Sequence, residues 1–159
     1  MDEILEILEK NGRSTPAEIA TMLGRNEADV AAAIAAYEKN HVVTGYTALV
    51  NWELTDVERV TALIEVKVTP QMDRGFDKVA ERIYNFPEVT SCYLMSGGFD
   101  LTVVIEGKTM KEVALFVARK LAPIPDVNST ATHFILRKYK DKGFVFGGNG
   151  DDDREHVLL

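Results

Sequence analysis

The chain has 159 residues, 46% of them hydrophobic and 27% charged, and a formal net charge of −7. That length suits one medium domain or two small ones, and the composition excludes collagen-like, disordered and bilayer-spanning classes. No apolar run approaches the roughly 20 residues needed to cross a bilayer. Met1-Asp2-Glu3 is acidic where a secretory leader is basic. Cys92 is the only cysteine, so no internal disulfide exists and a reducing cytoplasm is the expected location.

In chain order, Asp2–Gly12 carries Ile4, Leu5, Ile7 and Leu8 and ends at Asn11-Gly12, which predicts a first amphipathic helix. A second starts at Thr15-Pro16-Ala17-Glu18. Thr15 caps it, the missing N–H of Pro16 costs nothing there, and Glu18 reaches back as a capping box. Ile19, Met22 and Leu23 form its apolar face, and Gly24 suits the positive φ that follows a helix. Asn26 caps a third helix, with Asp29 near its positive end and Val30, Ile34 and Tyr37 turned inward at i, i+4 and i+7. Val42–Thr47 then reads as strand-turn-strand, so residues 14–46 make a helix-turn-helix with a wing. Caps and periodicity of this kind also fit a plain three-helix bundle.

Charge sits uneasily with that motif. Residues 1–56 hold only Lys10, Arg13, Arg25 and Lys39 against ten Asp/Glu, a net of −6, whereas residues 57–159 are close to neutral at −1. DNA-binding modules draw much of their affinity from neutralising phosphates.

Residues 51–59, NWELTDVER, are polar and read as a linker between a domain at 1–50 and another at 60–142. Val60, Ala62, Ile64, Val66 and Val68 alternate with Thr61, Leu63, Glu65 and Lys67 as a half-buried strand. Phe76, Val79, Ala80, Ile83 and Phe86 trace a helix closed by Pro87. Val89–Met95 is a strand, and Ser96-Gly97-Gly98-Phe99-Asp100 turns the chain into another at Leu101–Glu106. Thr109 and Glu112 open a helix that buries Val113, Phe116, Val117 and Leu121, and Val127–Tyr139 reads as one long last strand. The order β-α-β, β-α-β is that of a ferredoxin-like split βαβ domain: a four-stranded antiparallel sheet with both helices on one side. With Leu94, Val104 and Ile135 among the strand residues neither face is fully polar, which favours sheet-to-sheet dimerisation through the open one. Residues 143–159 form a tail that contains Asp151-Asp152-Asp153, with no framework to hold a metal.

The whole reads as an α+β chain: an N-terminal winged helix-turn-helix plus a C-terminal βαββαβ domain. With GYTALVN at the wing and MSGGFDL between the central strands, residues 1–142 resemble the leucine-responsive/asparagine-regulator (Lrp/AsnC) family. The resemblance implies an ACT-like C-terminal domain that makes dimers and often octamers. It also implies an amino-acid effector bound where dimers meet, shifting assembly or affinity for double-stranded DNA. The effector surface then falls on Ser96, Gly97, Gly98, Phe99 and Asp100, with Thr132 and His133 on the last strand.

Chemistry fits that assignment: the Gly97 and Gly98 N–H groups can receive a carboxylate, and Asp100 an ammonium. A simple hairpin turn capped by Asp100, with His133 a packed interface histidine, fits equally. DNA contacts fall to Arg13, Arg25, Asn26, Glu27, Lys39 and Asn40, because Ala33, Ala35 and Ala36 stand where the family carries arginines. Bidentate base readout needs such side chains, so affinity is expected to come from many linked modules.

No cofactor, metal site or membrane partner is implied. His41, His133 and His156 lie in unrelated segments, with no nucleophile elbow or paired His/carboxylate spacing, so an enzyme is not expected. Two other readings stand beside the regulator. One is an oligomeric amino-acid-binding protein whose helix-turn-helix no longer binds DNA specifically. The other is a subunit like the sirohaem decarboxylases, which share the two-domain plan but need a basic pocket with a placed histidine, for which only His133 is available.

Overall fold

The computed structural model describes residues 2–70 and 75–146, and the chain divides into two compact units, Met1–Val50 and Asn51–Leu159. In the first, α1 (Glu3–Lys10), α2 (Pro16–Leu23) and α3 (Glu27–Lys39) enclose a small core of Ile4, Leu8, Ile19, Ala20 and Val30. Each helix start is built locally. Asp2 accepts from the Ile4 N–H, and Asn26 from the Ala28 N–H. Thr15 and Glu18 form a reciprocal capping box in which the Thr15 N–H donates to Glu18 Oε2 at 2.7 Å. Gly24 ends α2 at φ 62, in the left-handed region that glycine enters without a Cβ penalty.

Two expectations fail here. Met22 is 65% exposed, and Ala20 takes the buried position in its place. The strand-turn-strand at Val42–Thr47 does not form. The Val42 and Val43 N–H groups both turn back to the Tyr37 carbonyl, and residues 44–50 follow without ladder pairing. A two-stranded ribbon is marginal by itself. Tyr46 holds the segment instead: its hydroxyl donates to Glu38 at 3.0 Å and its ring lies over Gly12, where an added Cβ would come within 3.1 Å of Cδ1.

The second unit opens with a 3₁₀ turn, Trp52–Leu54, inside the segment expected to be linker. The Arg59 guanidinium stacks over the Trp52 ring at 4.6 Å and pairs with Glu106 at 2.8 Å. Then follow β1 (Val60–Val68), α4 (Asp77–Tyr84), β2 (Val89–Leu94), β3 (Leu101–Gly107), α5 (Met110–Phe116) with a π-helical turn at Val117–Leu121, and β4 (Val127–Ile135). The antiparallel sheet runs β2-β3-β1-β4, so the two β-α-β halves interleave. Its covered face places Ala62, Ile64 and Val66 of β1 beside Leu101, Val103 and Ile105 of β3, packed with Val79, Ile83, Val113, Phe116 and Leu121 of the helical layer. Burial of each large aliphatic contributes about 1.5–3 kcal/mol.

The Thr109 hydroxyl accepts the Glu112 N–H, while Glu112 reaches past the cap to the Lys108 N–H. Phe86 and Phe116 meet edge to face at 5.5 Å; Lys120 covers both rings and binds Glu88, which holds the Glu88 carboxyl below its ordinary pKa. Cys92 turns toward the helices opposite Val103, and burial pushes its thiol up. The last strand stops at Ile135 rather than Tyr139. A separate hairpin, β5 (Lys140–Asp141) with β6 (Phe144–Val145), spans the boundary where a tail was expected. The aspartates at 151–153 and His156 lie outside the described residues.

Candidate functional site

The middle of α3 presents an uncharged surface, with Glu27, Asp29, Glu38 and Lys39 exposed toward its two ends. On α3, Ala28, Ala32, Ala35 and Ala36 are exposed with Asp29 and Lys39, while Val30 is buried and Ile34 and Tyr37 pack inward. The expected DNA contacts Arg13, Arg25, Asn26, Glu27, Lys39 and Asn40 are all exposed, but two of them are already engaged. Arg25 pairs with Glu3 at 2.7 Å, and the Asn26 carbonyl oxygen is spent on its own helix cap. Lys39 and Asn40 stand at the far end of α3 from Arg25, Asn26 and Glu27. Asp2 accepts a hydrogen bond from the Tyr37 hydroxyl, which lowers the Asp2 pKa and raises that of Tyr37. Burial first, then the bond to Glu38, raises Tyr46.

In the second unit, Ser96–Asp100 makes the β2–β3 turn, closed by Met95 N–H to the Asp100 carbonyl at 2.8 Å. Asp100 then joins β3 to β1. Its N–H donates to the Val66 carbonyl at 3.1 Å and its carboxylate accepts the Val68 N–H at 2.8 Å. One carboxylate oxygen thus has a structural partner that sequence reasoning missed, because Val68 lies 32 residues away in another strand. Ser96, Gly97 and Gly98 are exposed, and their N–H groups have no hydrogen-bond partner among the described residues. Neither glycine has positive φ, and a Cβ on either would touch nothing within 4 Å.

Thr132 and His133 do not share a surface. Thr132 pairs with Ile64 on the helix-covered side, while His133 pairs with Leu63 on the open side, where its Nε2 lies 3.2 Å from Glu65. The turn borders β1 at Val66–Val68, further along the strand than either, so one chain does not gather all seven expected effector residues. The open face carries Ser91, Val104, Leu63 and His133 in one cross-strand row and Tyr93, Thr102, Glu65 and Ala131 in the next. Thr102, at 6% exposure, is the buried polar residue among them. Among the described residues no group of His, Cys, Asp or Glu is placed to hold a metal ion, and no helix is long and apolar enough to cross a membrane.

A helix-turn-helix followed by a βαββαβ sheet domain is the architecture of a ligand-responsive transcriptional regulator. Residues 3–44 match the winged helix-turn-helix DNA-binding family, and residues 61–144 match the Lrp/AsnC ligand binding domain. The chain belongs to the Lrp/AsnC family of transcriptional regulators. It is 52% identical over 157 residues to the HTH-type transcriptional regulator YugG of Bacillus subtilis, covering 98% of this chain and 94% of the relative. Among solved structures, a Neisseria meningitidis transcriptional regulator in complex with L-Met aligns with TM-score 0.69 and 24% identity, covering 87% of this chain and 89% of that one. A feast or famine regulatory protein of Mycobacterium tuberculosis complexed with L-methionine aligns with TM-score 0.70 and 23% identity, covering 87% and 90%. At these identities the two structures bear on the fold alone.

Proposed function

We propose that this regulator binds double-stranded DNA as a homo-oligomer and that a free amino acid, bound at the Ser96–Asp100 turn, shifts its assembly or its DNA affinity. The observation that carries the effector assignment is the pair Gly97-Gly98. The fold demands glycine at neither position by φ or by crowding, and their N–H groups point to no partner among the described residues. Bare N–H groups beside a carboxylate suit a zwitterion: the turn takes the carboxylate, and the second oxygen of Asp100 takes the ammonium. His133, on the open face, joins such a site only from a neighbouring subunit, and Thr132, on the opposite side of the strand, does not join it from the same copy. Methionine, bound by two relatives of the same fold, is the first ligand to try.

Assembly follows from the open sheet face, where Leu63 and Val104 lie opposite each other without a helix above them. Pairing two such faces makes a dimer, and dimers of dimers extend toward an octamer. Linked helix-turn-helix units then offset the weak footprint of each one. Catalysis has no part in this reading, and the cytoplasm is the compartment where such a regulator meets DNA.

The test is a mobility-shift titration on the chain's own upstream DNA at several salt concentrations, with and without each of the twenty amino acids. A salt-sensitive shift altered by one of them supports the reading; an absent or salt-insensitive shift refutes it, because phosphate binding must weaken with salt. The exposed alanine face of α3 favours a second reading, an oligomeric amino-acid sensor whose helix-turn-helix contacts a protein. That reading requires ligand-induced thermal stabilisation without any DNA shift.

A further inference from the structure

The densest run of positive charge in the chain lies outside the helix-turn-helix. Arg137, Lys138, Lys140 and Lys142 fall within six residues that contain one acid, Asp141, whereas residues 1–50 carry four cations against eight acids. These six residues lead into and form the first half of the β5–β6 hairpin. Lys142 (φ 45) and Gly143 (φ 90) form its two-residue turn, so a lysine holds a position that asparagine or glycine occupies with less strain. The effect is to place an ammonium at the exposed tip. The Arg137 guanidinium lies 5.2 Å from the Tyr139 ring centroid, a cation–π contact that fixes its orientation. Arg137, Lys140 and Lys142 are exposed and make no salt bridge among the described residues, while Lys138 approaches Asp141 at 3.9 Å.

We infer that this hairpin is a second nucleic-acid surface, gripping the phosphate backbone of duplex DNA without reading bases. The inference rests on the regulator reading above and deepens it. The helix-turn-helix has its acids in excess and Arg25 tied to Glu3, so it lacks the cations from which DNA affinity comes. The hairpin supplies them. Tyr139 and Phe144, both exposed beside the cations, add contact area. Four cations against one acid in this exposed stretch favour a polyanion over an apolar protein partner.

The experiment compares the full-length chain with R137Q/K140Q/K142Q by fluorescence anisotropy, on the chain's own upstream duplex and on a scrambled duplex, from about 50 to 300 mM salt. Light scattering and thermal melting accompany each sample. If the hairpin grips phosphates, the variant loses about tenfold or more in affinity at 0.1 M salt. Its salt slope falls by at least about 2, at roughly 0.9 per phosphate contact, while preference for the specific duplex, oligomer size and melting temperature stay as in wild type. The variant K140R/K142R keeps the wild-type slope. A wild type that binds DNA with the same affinity and slope as R137Q/K140Q/K142Q overturns the hairpin inference and leaves the regulator reading intact. A wild type with no salt-sensitive DNA binding overturns both. Unchanged DNA binding with a smaller oligomer makes the hairpin an assembly contact. Binding of wild type to phosphatidylserine vesicles without DNA binding makes it a membrane contact. Either outcome overturns the inference.

Discussion

The carboxylate of Asp100 accepts the backbone N–H of Val68 at 2.8 Å, at the point where β1 shifts register against β4 between Lys67 and Val68. A residue assigned to effector binding therefore also secures the end of a central strand. Asp100→Ala is expected to lower stability by about 1.5–3 kcal/mol, the range for hydrogen bonds to charged groups. Asp100→Asn keeps an acceptor for Val68 and is expected to cost less than about 1 kcal/mol, while losing the charge that holds an ammonium. Denaturant melts with and without methionine distinguish the two roles: Asp100→Asn with an intact ligand response removes Asp100 from the effector site.

Acid is expected to loosen the helix-turn-helix. The Tyr37 hydroxyl holds the Asp2 carboxyl below its ordinary value of 3.8, and the Thr15 N–H and hydroxyl hold Glu18 below 4.5. Groups with depressed folded pKa values contribute stability that is complete above the unfolded value and lost as pH falls through the folded one. The loss therefore sets in below about pH 4.5. Asp2→Asn combined with Glu18→Gln should flatten the helical CD signal against pH in that window. Tyr37 acts in the opposite direction: its pKa is raised, so its contribution is present below pH 10 and fades in more alkaline solution. At neutral pH, Thr15→Ala should cost about 1 kcal/mol as a lost cap.

Val104→Asp tests the open sheet face. Val104 faces Leu63 across β1 and β3, and the change places a carboxylate there without touching the helix-covered core. The expected result is a fall to monomer by light scattering, with the melting transition retained but concentration-independent. An unchanged oligomer would show that assembly uses another surface.

Ala35→Arg adds a cation to the exposed face of α3, where arginine is almost as good a helix former as alanine. DNA affinity should rise, and the salt slope should steepen by roughly 0.9 for each phosphate gained. No change in either quantity would mean that this face of α3 does not meet DNA.

Gly24→Ala places a Cβ on a residue at φ 62 with open space around it, so the cost is backbone strain alone. About 1–2 kcal/mol is expected, read as a lower midpoint in denaturant for the N-terminal unit.

Much of the fold was legible because its signals are local. Thr15, Asn26 and Thr109 cap helices a few residues away, and Val79 and Ile83 repeat at helical spacing. The alternation through Ala62, Ile64 and Val66 marks one face of one strand. The misreadings arose where tertiary partners decide. Met22 and Ala20 both fit a helix face, and only the packing of the other two helices chose the smaller one. Residues 42–47 have strand composition, but among the described residues no second strand pairs with them, and the Val42 and Val43 N–H groups turn to the Tyr37 carbonyl instead. The last strand stops at Ile135, its final residue paired with β1, and the chain beyond turns into its own hairpin.

The candidate site divides along the same line. The turn at Gly97-Gly98, the arginine-poor third helix and the family itself were determined by the sequence alone, because each depends on which residues stand next to one another. That Asp100 grips Val68, and that Thr132 rather than His133 takes the helix-covered side, depend on strand order and register. Those are set by contacts tens of residues apart. A strand's side chains alternate faces with a period of two, so one unit of register decides which residues meet. Only the assembled sheet settles that.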